Sequence, residues 1–407
     1  MRNRNYRLYY FGQMISLSGT WMQTIAQAWL VLQLTDSKVA LGTVTMLQFL
    51  PITIFVLFAG VIADRVPKRR FLFFTQGLAM SQALVLTVLV WSGHIELWHI
   101  YLLAAVLGFA NAFEQPTRQA FVVELVGRED LINAVALNAG MFNAARLVGP
   151  GIGGFLIAAV GVKGAFLVNA ISFVPVIAAL ALIRLADLHA QPSRPRSALH
   201  PLAELREGLA FTFRTPAALL IVIVLLLVGT FGYNFTVMLP LVDRFVLDRG
   251  PEGLGLLTGA LGLGAVISAL LLAGRQAATL RTLFIGGALF AVLLGAVAIS
   301  QWYLLTLLLL LLAGISSTAF HATSNTYMQL AAPDHLRGRV MSLYMLLFAG
   351  STPIGGYLTG FLAEHLGVPM AVGICACLTM LGIIAGALYY VTHRSQIPPI
   401  AGGALPV

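Results

Sequence analysis

The sequence predicts an all-α integral membrane protein with twelve transmembrane helices in two six-helix bundles. The 407 residues are 59% hydrophobic and 10% charged, and the mean hydropathy of +0.91 is far above that of a soluble domain. About twelve apolar stretches are long enough to cross a hydrocarbon layer of roughly 30 Å at 1.5 Å per residue. They begin near Tyr9, Ala40, Leu72, Leu97, Val135, Val162, Ala217, Leu254, Leu283, Tyr303, Val340 and Val368. Runs such as Leu304 to Leu312 are solidly apolar, unlike the alternating strands of a membrane barrel.

The two bundles are predicted from an internal repeat. Residues 124–131 resemble residues 329–336, and the segment Gly153 to Leu156 resembles Gly355 to Leu358, at shifts near half the chain length. Such shifts indicate a parallel duplication that relates the two bundles by a pseudo-two-fold axis. The predicted domains are an N-terminal bundle (1–186), a cytosolic linker with an amphipathic helix from Pro201 to Phe213 (187–215), a C-terminal bundle (216–393) and a cytosolic tail (394–407).

The formal net charge is +9, but the positions of the cations indicate membrane topology rather than a nucleic-acid site. Placing both termini and the even-to-odd loops in the cytosol leaves four cations opposite, and Arg146 within a span. The four are Lys38, Lys163, Arg244 and Arg249. This bias is typical of the cytosolic face of a plasma or inner membrane. Cys375 and Cys377 lie two residues apart on one helix, and this spacing points them to different faces and excludes a mutual disulfide or metal site.

Two motifs carry a family resemblance. The loop between the second and third spans contains Gly60, Asp64, Arg65, Lys68, Arg69 and Arg70, and the fifth span contains Gly149, Pro150, Gly153 and Gly154. Both resemble motifs of the major facilitator superfamily of secondary transporters, and the match covers nearly the whole chain. Segments 116–120 and 325–342 resemble the branch that holds enterobactin exporters and macrolide efflux pumps. The resemblance implies the major facilitator fold, a loop that latches the two halves when the cavity opens outward, and an antiporter-type fifth helix.

The physical chemistry of both motifs agrees with these expectations. Asp64 ends the second helix, where its own helix dipole disfavours an anion, so we expect it to bind Arg65 or the amide end of a neighbouring helix. The cations from Lys68 to Arg70 also fix topology, and the two roles are compatible. In the fifth span the glycines and Pro150 permit close helix approach and a bend. A Gly-x-Gly-x-x-Gly pattern there lies inside a span with no preceding strand, which excludes a dinucleotide site.

The sequence contains no P-loop motif, so the energy for transport is expected from an ion gradient. Glu114, Arg146 and His321 are the ionisable groups predicted within hydrocarbon, where each costs about 2.5–3.5 kcal/mol without a partner. Glu114 is the first proton-coupling candidate, because a carboxyl group that alternates between apolar burial and a cation changes its proton affinity. The alternative is a static pair with Arg118, one turn away. His321 is the second candidate, and a neutral buried histidine bonded to a serine is its alternative.

Polar helix faces predict the substrate cavity. The first span carries a polar face that includes Gln23 and Gln27, the seventh carries Tyr233 and Asn234, the fifth Arg146 and the tenth Asn325. Such faces line a cavity, and they are equally typical of hydrogen bonds between helices. Aromatic residues near them in sequence suit amphiphilic molecules better than sugars.

The sequence therefore predicts a monomeric, proton-coupled exporter of amphiphilic small molecules, of the drug or siderophore type, that works by alternating access without cofactor or metal. An uptake symporter or uniporter of the same fold, or a membrane receptor or scaffold without transport, is the alternative. An enzyme is excluded because the predicted spans contain no acid pair, metal cluster or Ser-His-acid set.

Overall fold

The computed structural model describes residues 3–127, 129–189, 201–273, 279–333, 336–348 and 350–397. Within helices, the side chains of residues 56, 57, 60, 61, 63–65, 132, 201–205 and 273 lie outside this description. The helices are α1 (Arg4–Thr35), α2 (Lys38–Arg65), α3 (Lys68–Trp91), α4 (Leu97–Val126), α5 (Leu131–Leu182), α6 (Pro201–Arg214), α7 (Pro216–Leu227), α8 (Phe235–Val242), α9 (Gly250–Ala273), α10 (Leu280–Ile299), α11 (Tyr303–Ala331), α12 (Arg337–Phe348), α13 (Thr352–Leu366) and α14 (Val368–Thr392).

These helices form the twelve predicted spans, so the predicted fold class is confirmed. Gly161, with φ +73°, divides α5 into the fifth and sixth spans, and α12 and α13 together form the eleventh. The seventh span consists of α7, a π-helical turn (Val228–Gly232), α8 and a second π-helical turn (Asp243–Leu247). Ten stretches of the described chain are long and apolar enough to cross a membrane, one of which covers the whole of Asn133–Leu182. The amphipathic helix of the linker is α6.

Several helices begin a few residues before the apolar run that predicts them. α1 begins at Arg4 rather than Tyr9, because the Asn3 side chain accepts a hydrogen bond from the Tyr6 backbone N–H. Ser37 caps α2 in the same way. A polar cap satisfies amide groups that the first helical turn leaves unpaired, so a helix starts at its cap and not at its first apolar residue.

The N-terminal unit comprises Met1–Arg196 together with Arg249–Gly259, which include the first ten residues of α9. In it α1 packs along α5, α2 along α4, and α3 against both α4 and α5. Its core is formed by buried residues such as Tyr9, Leu72 and Phe121. α2 and α4 approach closely, because a Cβ atom built on Gly108 would overlap the Gln48 carbonyl oxygen.

The C-terminal unit comprises Ser197–Asp248 and Ala260–Val407. In it α10 packs between α11 and α14, and α14 also packs on α7. α9 and α11 approach through Gly264 and Gly314, where a Cβ atom on each would overlap a carbonyl oxygen of the other helix. Gly314 lies 206 residues after Gly108, close to the shift of the sequence repeat, so this backbone contact is present in both halves.

Candidate functional site

The polar face of α4 places an ion pair inside the N-terminal unit. Arg118 Nε lies 3.0 Å from Glu114 Oε1, one helical turn away, and the two side chains are only 11% and 13% exposed. The structure thus pairs the two residues that the sequence placed one turn apart. Separating a pair this well shielded from water costs free energy, because each charge alone would be left in a low-dielectric environment.

Two glutamines from other helices also bind the Glu114 carboxylate. Gln13 of α1 donates from Nε2 to Glu114 Oε1 at 3.3 Å, and Gln76 of α3 donates to the same oxygen at 3.4 Å. Gln76 also donates to Gln13 Oε1. Amide donors from α1 and α3 and the guanidinium of α4 thus meet on one oxygen, which matches the acceptor character of an ionised carboxylate. The charge on one carboxyl group is therefore linked to the packing of three helices.

A second polar cluster in the same unit is a chain of amides. Asn169 Nδ2, in the sixth span, donates to Gln23 Oε1 at 2.6 Å, and Gln23 Nε2 donates to Gln82 Oε1 of α3 at 2.9 Å. All three side chains are at least 98% buried. Gln82 Nε2 ends the chain without a hydrogen-bond partner among the described residues. Gln27, one turn beyond Gln23, is also buried. These contacts fit the interhelical hydrogen bonds that the sequence left open for the polar face of α1.

In the C-terminal unit His321 occupies an aromatic environment. Its ring stacks on Phe348 with centroids 4.2 Å apart, and its Nδ1 lies 3.0 Å from the Tyr344 hydroxyl. Ser324 bonds the same hydroxyl at 2.9 Å, and Tyr344 is fully buried. The histidine of α11 therefore contacts a hydroxyl group and an aromatic ring of α12.

Tyr233 and Asn234 lie where the helix of the seventh span is interrupted. Both have non-helical backbone angles between the first π-helical turn and α8. The Tyr233 hydroxyl donates to the Ser317 carbonyl oxygen at 2.7 Å, and its ring lies 6.4 Å from that of His321. Asn234 Nδ2 donates to the Thr230 carbonyl oxygen at 2.6 Å. Interrupted helices and π-helical turns are frequent at functional sites of transporters.

The remaining cavity candidates occupy separate places. Arg146 on α5 is partly buried, and its guanidinium carbon lies 5.8 Å from the centroid of the Trp21 ring, within the range of a cation–π contact. Asn325 on α11 accepts a hydrogen bond from Gln329 at 2.7 Å. Each of these polar groups thus has a partner in its own unit.

The loop motif is described in part. Lys68 Nζ lies 2.8 Å from Glu124 Oε1 at the end of α4, and Arg69 donates to the Leu180 and Ala181 carbonyl oxygens at the end of the sixth span. A cation there binds unpaired carbonyl groups and opposes the helix dipole. Arg70 is exposed. The surroundings of Gly60 and the side chains of Asp64 and Arg65 lie outside the described part of the chain, so the latch stays a prediction.

The glycines of the fifth span form close helix contacts. A Cβ atom on Gly149 would lie 2.7 Å from Trp21 Cβ, and one on Gly153 would lie 3.1 Å from Met22 Cα, both on α1. On another face, a Cβ atom on Gly154 would overlap the Pro251 carbonyl oxygen at the start of α9, and Gly255 would meet the Pro150 carbonyl oxygen at 3.0 Å. The predicted close approach is therefore present.

Sequence reasoning missed partners that come from other helices. The structure buries Gln76, Gln82, Asn169 and Tyr344. The signal that the sequence offered was a polar residue type within an apolar helix. Asp243 was missed because Arg244 follows it and suggests a loop. Its side chain is fully buried, and it begins the second π-helical turn, inside the apolar stretch Pro216–Leu247. Among the described residues no group of His, Cys, Asp and Glu is arranged to hold a metal ion.

Comparison with known proteins identifies the family. A family model described as transmembrane secretion effector matches residues 1–400. The chain is 28% identical to the multidrug efflux pump Tap of Mycolicibacterium fortuitum, over 92% of this chain and 93% of that protein. It is 26% identical to the staphyloferrin A transporter of Staphylococcus aureus, over 93% and 94% of the two chains.

Solved structures show the same fold. A POT family transporter in complex with 5-aminolevulinic acid matches with a TM-score of 0.77 at 14% identity, over 96% of both chains. The nucleoside transporter NupG matches with a TM-score of 0.71 at 11% identity, over 95% of this chain and 99% of that one. The protein is thus a multi-pass membrane transporter for a small molecule and not an enzyme, and it belongs to the transmembrane secretion effector family of the major facilitator superfamily.

Proposed function

We propose that this transporter exports amphiphilic small molecules in exchange for protons, by alternating access across a plasma or inner membrane. Both termini then lie in the cytosol, as the distribution of cations indicates, and the chain works as a monomer. The observation that carries the coupling is the Glu114 carboxylate, which accepts hydrogen bonds from Gln13 and Gln76 and forms an ion pair with Arg118. Protonation of this carboxyl group removes its charge and weakens the contacts that link α1, α3 and α4.

The coupling step follows from this geometry. A proton on Glu114 leaves Arg118 without its counter-ion in a buried position, and such a position favours a rearrangement that gives the cation water or another anion. Loss of the proton restores the ion pair and the first arrangement. Binding of substrate and binding of the proton are then linked through the same helices. His321, held by Tyr344 and Phe348, is the second proton-binding candidate.

The substrate class is inferred from the side chains assigned to the cavity. Gln23, Gln27, Arg146, Tyr233, Asn234 and Asn325 offer amides, one cation and one aromatic hydroxyl. Tyr233 lies among Phe290 and Phe348, with centroids 5.3 and 4.8 Å away. Aromatic surface with few polar groups favours amphiphilic molecules. The relatives are a multidrug efflux pump and a staphyloferrin A transporter, which supports export of a drug or a siderophore.

The loop motif is proposed as a conformational latch. Gly60, Asp64, Arg65, Lys68, Arg69 and Arg70 lie where α2 ends and α3 begins. Lys68 and Arg69 already bind the cytosolic ends of two other helices, so movement of this loop is linked to both. The close contacts of Gly149, Pro150, Gly153 and Gly154 give the fifth span the matching mechanical role on the same unit.

Gradient-driven flux in proteoliposomes tests the proposal. We expect a pH gradient to drive export of a fluorescent amphiphile such as ethidium, and Glu114→Gln to reduce this flux to the background of empty liposomes. His321→Gln reduces it by a smaller factor. Glu129→Gln is the matched control, because Glu129 is an exposed acid outside the helices. Flux in Glu114→Gln equal to that of the wild type would refute Glu114 as the proton site. If no amphiphile or siderophore moved under a pH gradient of either direction, the transport function would be refuted.

The direction of transport separates the proposal from an uptake symporter or uniporter. Cells that express the protein should exclude an amphiphile that control cells accumulate, and the exclusion should disappear when the proton gradient is dissipated with a protonophore. Accumulation above the control would favour uptake. Saturable binding without flux would favour a receptor or scaffold.

A further inference from the structure

We propose that the cleft between α10 and α14 binds one acyl chain of a membrane lipid. The cleft has a volume of about 520 Å³ and lies entirely in the C-terminal unit. Its lining includes Gly295, Ala298 and Ile299 of α10, and Gly373, Ala376 and Cys377 of α14. The thiol of Cys377 is the single weakly polar side-chain group among these six residues. The cleft therefore suits a hydrocarbon chain and offers nothing to bind a polar headgroup or a charged substrate.

The cleft exists because small residues face each other where the two helices meet. The nearest atom to a Cβ built on Gly295 is the Cβ of Ala376, at 3.7 Å, and the nearest to one on Gly373 is the Cβ of Ala298, at 3.9 Å. These are ordinary contacts with open space beside them. An open apolar cleft leaves the atoms that line it without contacts on one side, so an occupant from the surroundings stabilises the pair of helices.

The surroundings are hydrocarbon. Val292 is 57% exposed, Ile299 81% and Met370 59%, and in a multi-pass membrane protein such apolar side chains face lipid. The lined stretch of α14 from Pro369 to Met380 is about 16 Å long at 1.5 Å per residue, close to half of the roughly 30 Å hydrocarbon layer. The cleft therefore has the length of an acyl chain in one leaflet.

One end of the cleft lies at headgroup depth. α10 ends at Ile299, and Trp302, which is 76% exposed, follows three residues later. Exposed tryptophan is enriched at the level of lipid headgroups. The predicted topology places this end on the outer face of the membrane, so the chain belongs to an outer-leaflet lipid.

A second copy of the protein fits the cleft less well than a lipid. Helix association in membranes uses small residues that let the backbones of two proteins meet. Here the small residues of α10 and α14 already face one another within one chain, and bulky exposed side chains flank the opening. A flexible chain adapts to the shape of such a cleft more readily than a helix does.

Photo-crosslinking tests the site on the full-length protein. Phosphatidylethanolamine with a diazirine in its acyl chain, reconstituted with the protein, should label the peptides of α10 and α14 that line the cleft. Gly295→Leu and Gly373→Leu, which fill the cleft, should each reduce this labelling roughly tenfold. Leu388→Phe is the matched control, because it adds bulk at an exposed position of α14 outside the lining. Labelling that is the same in all three variants would overturn the proposal.

The Cys377 thiol gives a second measurement that does not require a variant. Delipidation should increase its rate of reaction with N-ethylmaleimide, and added phospholipid should slow it again, whereas Cys375 is buried and stays unreactive. A rate that is independent of lipid would overturn the proposal. So would efficient crosslinking of two chains through Cys377 by a bismaleimide in liposomes, since that result assigns the cleft to a second copy.

Discussion

The two units share a backbone framework and differ in the chemistry that they place on it. Gly108 in the N-terminal unit and Gly314 in the C-terminal unit form equivalent close contacts between helices. Farther along the same helices, α4 carries the Glu114–Arg118 ion pair, whereas α11 carries His321 among aromatic rings. The comparison indicates that duplication retained the contacts of small residues, because any larger side chain would disrupt the backbone approach. Positions that face polar partners diverged.

The largest expected effect on stability comes from the ion pair, which has no counterpart in the described part of α11. Arg118→Leu leaves the Glu114 carboxylate buried with only two amide donors, and we expect a loss of about 3–5 kcal/mol in the free energy of unfolding. The double substitution Glu114→Leu with Arg118→Leu should recover much of this loss, because no uncompensated charge remains. Thermal unfolding in detergent measures both.

A double substitution that is as unstable as Arg118→Leu alone would show that the pair contributes through packing rather than charge. His321→Leu is the matched change in the other unit. It removes the hydrogen bond between the imidazole and Tyr344 and should cost about 1 kcal/mol. An equal loss of unfolding free energy in the two units would contradict the expected difference between the ionic site and the aromatic site.

The next effect concerns the glycines that the two units share. A Cβ atom on Gly355 would overlap the Thr230 carbonyl oxygen and lie 2.5 Å from Asn234 Nδ2, whereas one on the equivalent Gly153 would lie 3.1 Å from Met22 Cα. Gly355→Ala should therefore cost about 1–3 kcal/mol by overpacking the break in the seventh span, and Gly153→Ala should cost less.

Gly140→Ala provides the control for this pair, because a Cβ atom there meets no atom within 4 Å. Thermal unfolding of the three variants gives the order. If Gly153→Ala proved more destabilising than Gly355→Ala, the tighter packing would lie in the N-terminal unit. The break at Tyr233 and Asn234 would then not depend on the eleventh span.

A smaller effect distinguishes positions along the amide chain of the N-terminal unit. Gln23→Met removes both the acceptor for Asn169 and the donor to Gln82, so two bonds are lost, at about 0.6 kcal/mol each. Gln82→Met removes one, because its Nε2 has no partner among the described residues. Unfolding midpoints should fall about twice as far for Gln23→Met. Equal shifts would mean that Gln82 Nε2 is bonded in the membrane, for example by water.

The sequence was sufficient for the fold but only partly for the sites. Hydropathy and the repeat predict twelve helices because burial in lipid restricts both composition and length. The contact of Glu114 with Arg118 could be foreseen as an alternative, since residues four apart on a helix are neighbours. Gln76 and Tyr344 were not found as partners, because a contact between helices depends on rotation and depth that a single sequence does not specify. Asp243 was missed for a local reason, its position beside Arg244.

The smallest expected effect compares the ion pairs at the helix ends of the two units. Lys68 binds Glu124 at 2.8 Å in the N-terminal unit, with side chains 14% and 20% exposed. In the C-terminal unit Arg339 of α12 binds Glu207 of α6, which is 47% exposed. Partly exposed pairs contribute about 0.2–1 kcal/mol and are screened by salt. Glu124→Gln should therefore lower the unfolding midpoint slightly more than Glu207→Gln, and both shifts should shrink at high ionic strength. A shift for Glu207→Gln that is larger and independent of salt would mean that Glu207 holds α6 on α12 through packing, and that the linker helix is an integral part of the C-terminal unit rather than a charged surface attachment.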